Sequence, residues 1–362
     1  MSKLAATLVA SCLRIRPDDN VTIFFYPHNT AMAEDIATEC FKAGADVLLD
    51  LYTDAFYTSY MKYLSVESLK QPSAYCRGLG ELSTAQFWVG GASDPSMFRR
   101  FPPEKMAAAD EGEAAAHVPI AKSRKVRSLL VGPAMVTRAR AKVYGFPFVP
   151  WRRMMQEASA VSPSKLSRDG KRVAARLEAA DQVRITAENG TDLELSVKGR
   201  RGTVYDGVVD DEDIARGDVD ASVPAGSVMV LPVETSASGT AVLDVPQAWA
   251  GRTVRRVRWE FRDGRVAAFS GDAAALSLRK QWDLASGDKD VIAALTIGLN
   301  PRARLGFLSS DIVRGTVTIS IGGNEWVGGS NKSGFSYGQT VANPTITIDG
   351  EELVRNGRLG AR

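Results

Sequence analysis

Apolar positions in the first half of the chain alternate between two spacings. Leu4, Leu8 and Cys12 recur every fourth residue, the stripe of an amphipathic helix that runs to Leu13. Val21-Thr-Ile-Phe-Phe-Tyr26 is an unbroken β-branched and aromatic run, which predicts a buried strand. Thr30 is placed to cap a helix over Ala31–Lys42 that stops at Gly44, and Asp46-Val-Leu-Leu-Asp-Leu-Tyr52 reads as the next strand. Strand, helix and strand in that order imply a right-handed parallel crossover. Further strands are predicted at Ala85–Val89 and Arg127–Val131, with helices near Pro103–Glu113 and Trp151–Glu157. The pattern describes an α/β domain over residues 1–180. Its end is soft, because Ser164–Ala180 reads as a charged helix that both halves can share.

Beyond residue 180 the period shortens to two. Val183–Ala187 and Asp192–Val197 flank Glu188-Asn-Gly-Thr, a hairpin signal built on Asn189-Gly190. Val257–Phe261 and Arg265–Phe269 flank Arg262-Asp-Gly in the same way, and alternation is clearest in Thr316–Ile321 and Thr345–Ile348. One helix is predicted over Ala273–Ala285. Residues 181–362 therefore read as an α+β domain dominated by antiparallel sheet. No internal repeat or long low-complexity segment interrupts it.

Composition narrows the function classes. The 362 residues are 44% hydrophobic and 24% charged, the balance of an ordinary globular chain. A net charge of +3, from 45 basic and 42 acidic residues, is too small to argue for nucleic acid. No aromatic stacking motif accompanies the local basic runs Lys122–Arg127 and Arg252–Arg265, which read as solvated faces. Cys12, Cys40 and Cys76 are widely spaced and odd in number, which argues against a disulfide framework or a zinc site and fits a reducing cytoplasm. The short apolar run near the N-terminus is followed by Arg14 and Arg16, and no run reaches the roughly 18 apolar residues of a membrane span. A phosphate-binding loop is missing after the first strand, where Tyr26-Pro-His-Asn-Thr stands. Neither Gly78-Leu-Gly nor Gly90-Gly-Ala matches the dinucleotide fingerprint, so no nucleotide cofactor is expected.

The second half carries a family pattern. Val223-Pro-Ala-Gly-Ser-Val-Met-Val-Leu-Pro232, Ile297-Gly-Leu-Asn-Pro301, Gly315-Thr-Val-Thr-Ile-Ser-Ile-Gly322 and Gly328-Gly-Ser-Asn-Lys-Ser-Gly-Phe-Ser-Tyr-Gly338 occur in order, followed by Asp349-Gly350. These segments resemble those of the aminopeptidase T family of dinuclear metallopeptidases, over Val223 to Gly350. The first half agrees only in its α/β layout. The implied fold also looks like that of dihydroxypyridine ring-cleaving dioxygenases, so fold alone does not set the chemistry.

The family's metal ligands do not carry over. Its two glutamates correspond to Ser227 and Ala294, its first histidine to Thr318, and its His-x-Asp pair to Ser336 and Gly338. None of these is a strong ligand for zinc, cobalt or iron, so no metal is expected there. The two histidines of the chain, His28 and His117, lie in the other half and read as structural. A Ser–His–Asp triad therefore has no imidazole in the C-terminal half. Lys332, Ser333 and Ser336 form a generic Ser–Lys grouping, and Glu234, Asp244, Asp311 and Glu325 are candidates for metal-free acid–base work.

The expectation is thus a catalytically inactive relative that keeps a peptide-sized groove between its domains. Trp326, Phe335 and Tyr337 would line it with Lys332, and strand Thr316–Ile321 or Thr345–Ile348 would add a peptide by edge pairing. A precursor peptide of a ribosomal natural-product pathway, the modifying enzymes of that pathway and, from the family resemblance, a second copy of the chain are the expected partners. The alternative is a metal-independent hydrolase or lyase acting on a small amide or cyclic substrate. A third reading, relocated metal ligands, requires His28 or His117 to meet a carboxylate cluster.

Overall fold

The structure, a computed structural model, describes residues 3–123 and 125–360. It divides into two compact units, Met1–Ala160 with Gly207–Ala225, and Val161–Asp206 with Gly226–Arg362. The expected charged helix spans Pro163–Glu178 and lies wholly in the second unit. The first unit is a parallel α/β layer structure and the second is rich in antiparallel sheet, the fold class read from the sequence.

Four strands of the first unit follow the chain: β1 Asn20–Phe25, β2 Asp46–Leu51, β3 Ala85–Val89 and β4 Arg127–Val131. They pair in parallel in the order β2-β1-β3-β4, and a fifth strand, Asp220–Val223, adds beyond β4. β1 is apolar at consecutive positions because it is covered on both faces, with Val21 to Phe25 all buried. β2 is an edge strand, and there Leu48, Leu49 and Leu51 are exposed. Helix Thr30–Lys42 buries Ala33, Ile36, Ala37 and Cys40, the helical spacing that packs one face on the sheet. The helix predicted to end near Glu113 runs on to Ser123 through Pro119. Its alanine run is a strong helix former, and tertiary packing holds the extra turns: a Cβ on Gly80 would sit 1.9 Å from Ile120 Cδ1. At the start of β1, Asp19 and Arg127 form a buried ion pair. The Thr84 hydroxyl donates to the same Asp19 oxygen at 2.7 Å, and the Arg16 backbone N–H donates to the other at 2.7 Å.

The second unit builds two large antiparallel sheets, with a two-stranded ribbon of Gln247–Trp249 and Arg252–Val254, around one apolar core that includes Leu195, Trp259, Phe261, Leu295 and Ile319. The larger sheet has eight strands. Both predicted hairpins are in it: Gln182–Ala187 with Thr191–Ser196, and Val257–Arg262 with Arg265–Gly271. Their turns follow from backbone geometry. Asp263 and Gly264 have φ of 49° and 78°, the two positive values a tight hairpin turn requires. The smaller sheet comprises β5 Gly202–Tyr205, β6 Ser227–Val230, β7 Ile292–Gly298, β8 Val317–Gly322 and β9 Ser336–Val341, in the order β9-β8-β7-β6-β5.

This order corrects one expectation. β8, predicted as a free edge, lies between β7 and β9, and Thr345–Ile348 lies between Gln182–Ala187 and Glu351–Arg355 in the larger sheet. Alternation marks a strand that is half buried, but it does not say whether a neighbour pairs with it on each side.

Candidate functional site

The register of the smaller sheet brings the five expected ligand positions together. In β8 the core takes Val317, Ile319 and Ile321, so Thr318 and Ser320 point to the other face. Thr318 pairs with Thr296 and Thr340, Ser320 with Ala294 and Gly338, and Gly322 with Ser336. On β6, Met229 is opposite Thr296 and Ser227 is opposite Gly298. Ser227, Ala294, Thr318, Ser336 and Gly338 therefore occupy one face of one sheet, with Thr296, Ser320 and Thr340 between them.

That face is small, neutral and hydroxyl-rich. Ser227, Ala294, Thr296, Thr318 and Thr340 are buried, while Ser336 is exposed. The Thr318 and Thr340 hydroxyls satisfy each other at 2.7 Å. At Gly338 a Cβ would lie 2.3 Å from Ser320 Oγ and 3.3 Å from Thr318 Cγ2, so the space a side chain would enter is already filled. A dinuclear or iron centre needs carboxylate charge and imidazole nitrogen. This face offers hydroxyl oxygens, a methyl group and a bare Cα, and such residues do not fit a resident transition metal. Among the described residues no group of three or more His, Cys, Asp and Glu side chains is placed to hold one elsewhere.

What the motif segments do retain is architecture. Asn331 N donates to Asn324 Oδ1 at 2.9 Å, and Asn331 Nδ2 donates to Ile292 O at 2.9 Å and Gly322 O at 3.1 Å. Asn324 Nδ2 donates to Ala293 O at 3.0 Å. Two buried asparagines thereby tie the loop after β8 to the start of β7. Gly322 has φ of 99°, and a Cβ there would meet Phe335 O at 2.1 Å. A Cβ on Gly323 would meet Ser333 O at the same distance. These glycines are required by close backbone approach.

The other candidates separate. Phe335 and Tyr337, expected to line a groove, are buried in the core beside Trp249; Tyr337 Oη donates to Gln339 Oε1 at 2.9 Å. Tyr337 belongs to the core face of β9, as its pairing with Ile321 dictates, and neither ring offers surface to a ligand. Trp326 and Lys332 are exposed. The Ser333 hydroxyl donates to Ser286 O at 2.8 Å. Glu234 is engaged by Arg200 at 2.6 Å and by Ser330 Oγ at 2.8 Å. Burial alone would raise its carboxyl, but these hydrogen bonds hold it below the usual value. Asp244 accepts from Ala342 N at 3.1 Å. Burial pushes the Asp311 carboxyl up.

In the first unit His28 lies near Tyr26, with ring centroids 6.2 Å apart, and His117 lies against Trp88 at 5.9 Å. Burial and then the charge of Arg140 lower the pKa of His28. Arg140 itself was not singled out in the sequence. One arginine among 45 basic residues carries no pattern, and only Gly90-Gly91, which makes room for it, could have drawn attention to the place.

A family model described as NicX: 2,5-dihydroxypyridine 5,6-dioxygenase matches residues 155–361. Among solved structures, wild-type AmpT from Thermus thermophilus is similar at a TM-score of 0.75 and 16% identity, over 99% of this chain and 98% of that one. The 2,5-dihydroxypyridine dioxygenase of Pseudomonas putida KT2440 is similar at a TM-score of 0.62 and 16% identity, over 96% of this chain and 94% of that one. At such identity the likeness concerns the fold. No curated protein matches the sequence.

Proposed function

The chain belongs to the NicX family, and from that premise we propose that it is a non-catalytic member that binds a peptide. One observation carries the reading: the five positions that share a sheet face, Ser227, Ala294, Thr318, Ser336 and Gly338, hold no side chain able to keep a metal. The backbone shell around them is intact, and it presents recognition elements instead of chemistry. β9 is an edge strand of its sheet; Val245 N donates to Thr340 O at 3.2 Å near its end, so its Ser336–Gly338 part is the one suited to pairing with an extended backbone, and exposed Trp326 and Lys332 lie on the loop that leads into it. These two residues and the β9 edge replace the lining expected from Phe335, Tyr337, Thr316–Ile321 and Thr345–Ile348. A precursor peptide awaiting modification is the ligand of this reading, its modifying enzymes are the further partners, and the acting form is a homodimer.

The test begins with metal. The protein is purified after growth with added zinc, cobalt, manganese and iron, and its metal content is measured by mass spectrometry. Consumption of 2,5-dihydroxypyridine with added ferrous iron and cleavage of peptide amides are assayed in parallel. Sub-stoichiometric metal, no turnover and saturable binding of an extended peptide that weakens in Trp326→Ala are expected. Near-stoichiometric metal or metal-dependent turnover overturns the reading. Amide turnover that persists in chelator transfers it to a metal-independent hydrolase. Light scattering in solution checks the dimer, and a monomer at all concentrations removes that part.

A further inference from the structure

We propose that the carboxyl ends of β1 and β3 in the first unit form a binding site for a small carboxylate, with the guanidinium of Arg140 as its receptor. This rests on the first unit alone and is independent of the reading given to the second.

The topology supplies the place. Strand order β2-β1-β3-β4 means that the chain leaves β1 toward one edge and resumes at β3 on the other side. In open parallel sheets the loops diverge at such a point and leave a crevice beyond the strand ends, where ligands bind. Here β1 ends in Tyr26-Pro-His-Asn29 and β3 in Gly90-Gly-Ala-Ser-Asp94.

Arg140, from the short helix Arg138–Tyr144, extends beneath these loops and is only 7% exposed. Its Nη2 donates to Ala92 O at 2.7 Å. Its Nε is buried and has no hydrogen-bond partner, and no ion pair among the described residues includes Arg140. Nearly all buried polar groups have partners, and an arginine stays charged when buried, so an open guanidinium donor inside a protein is costly unless something fills it. The loop is shaped around this group. A Cβ on Gly91 would lie 3.1 Å from Arg140 Nη2, and a Cβ on Gly90, whose φ is 93°, would lie 2.1 Å from Asn29 Nδ2.

The surrounding charges select the ligand. Burial and then the charge of Arg140 lower the pKa of His28, which weakens it as a second cation beside the guanidinium. Asp54 acts electrostatically on Arg140, His28 and Tyr26 while its own oxygens accept from Ser93 N at 3.1 Å and Asp94 N at 3.3 Å. One cation opposed by the carboxylates of Asp54 and, at Tyr26, Glu113 favours a singly charged anion over a dianionic phosphate. The planar guanidinium fork matches a carboxylate, and Tyr26 and His28, on both of which Arg140 acts electrostatically, supply aromatic surface, with Tyr52 against Tyr26 at 6.3 Å.

The experiment follows the arginine Nε–Hε resonances of ¹⁵N-labelled protein during separate titrations with sodium benzoate, acetate and phosphate. The Arg140 signal is identified by its loss in Arg140→Lys. Calorimetric titration of the wild type and Arg140→Gln runs alongside. A saturable shift of the Arg140 signal with benzoate or acetate is expected, with affinity at least tenfold weaker in Arg140→Gln. Benzoate well ahead of acetate assigns an aromatic carboxylate, and equal responses assign the carboxylate alone. The wild-type resonance decides between these outcomes even if Arg140→Gln does not fold. A stronger response to phosphate overturns the choice of ligand, and no saturable shift with any of the three overturns the site.

Discussion

Removing one hydroxyl from the Thr318–Thr340 pair should cost far more than removing both. The two oxygens are 2.7 Å apart, and the residues are 7% and 2% exposed. Thr318→Val keeps the shape but strands the Thr340 hydroxyl, and a buried polar group left without its partner costs about 1–3 kcal/mol. Thr340→Val does the same from the other side. The double variant leaves no orphan and should be nearly neutral, so the cycle should show a coupling of about 1–3 kcal/mol. Guanidinium denaturation of the four proteins measures this. With a denaturant slope of roughly 4 kcal/mol/M, a 2 kcal/mol loss moves the midpoint by about 0.5 M. Coincidence of the circular dichroism and tryptophan fluorescence transitions establishes that a single free energy applies. If the single variants lose nothing, or the double variant loses the sum of the two, then water reaches these hydroxyls, and the face is an open cavity that still holds a polar ligand.

Three further outcomes follow from the same geometry. Burial works to raise the Asp19 carboxyl, but hydrogen bonds from Thr84, Arg127 and the Arg16 backbone, with the Arg127 charge, hold it below its ordinary value. A depressed carboxylate pKa contributes stability in full above the unfolded value, about 3.9, and loses it as pH falls through the folded one. Asp19→Ala, which leaves Arg127 buried and unpaired, should therefore destabilise by about 3–5 kcal/mol at pH 7, and the gap from wild type should narrow below about pH 4 in a series of urea melts. Thr318→His, Ser336→His and Gly338→Asp together should not bind cobalt stoichiometrically until Ser320→Gly is added, because Ser320 Oγ fills the space at position 338; absorption spectroscopy of the cobalt adduct reads this, and equal binding without the fourth change refutes it. Gly264→Ala should destabilise by more than 1 kcal/mol, since its Cβ would lie 1.7 Å from Glu234 O and its φ is 78°; a thermal midpoint within error of wild type contradicts this.

Much of the fold was legible because local chemistry and tertiary need agree. Phe24 sits between two other apolar residues in β1 because both sheet faces are covered. Asn189-Gly190 and Asp263-Gly264 marked hairpins because few residues accept positive φ. Pairing partners were not legible: β8 and Thr345–Ile348 alternate as an edge strand would, yet each has two neighbours. Phe335 and Tyr337 looked like a lining because aromatic residues in a glycine-rich loop fit either role. The β8–β9 register, which places Tyr337 opposite Ile321, is non-local information. Arg140 was invisible for the same reason, since its burial depends on loops that follow β1 and β3.

The contrast between retained glycines and absent ligands has an energetic basis. Gly322, Gly323, Asn324 and Asn331 hold β7, the loop after β8 and the start of β9 in contact, so replacing any of them costs folding stability whether or not the site works. Metal ligands act in the opposite sense. Several carboxylates crowded on one sheet face repel one another and lose hydration, and only bound cations offset both costs. Without the metal, each donor is a liability, and small neutral residues are the stable filling. Serine, alanine, threonine and glycine at positions 227, 294, 318, 336 and 338, with the two threonine hydroxyls closed on each other, make a neutral filling of that kind. The order of the smaller sheet does not depend on charge at these positions: its stability resides in Leu295, Val317, Ile319 and Ile321 on the opposite face.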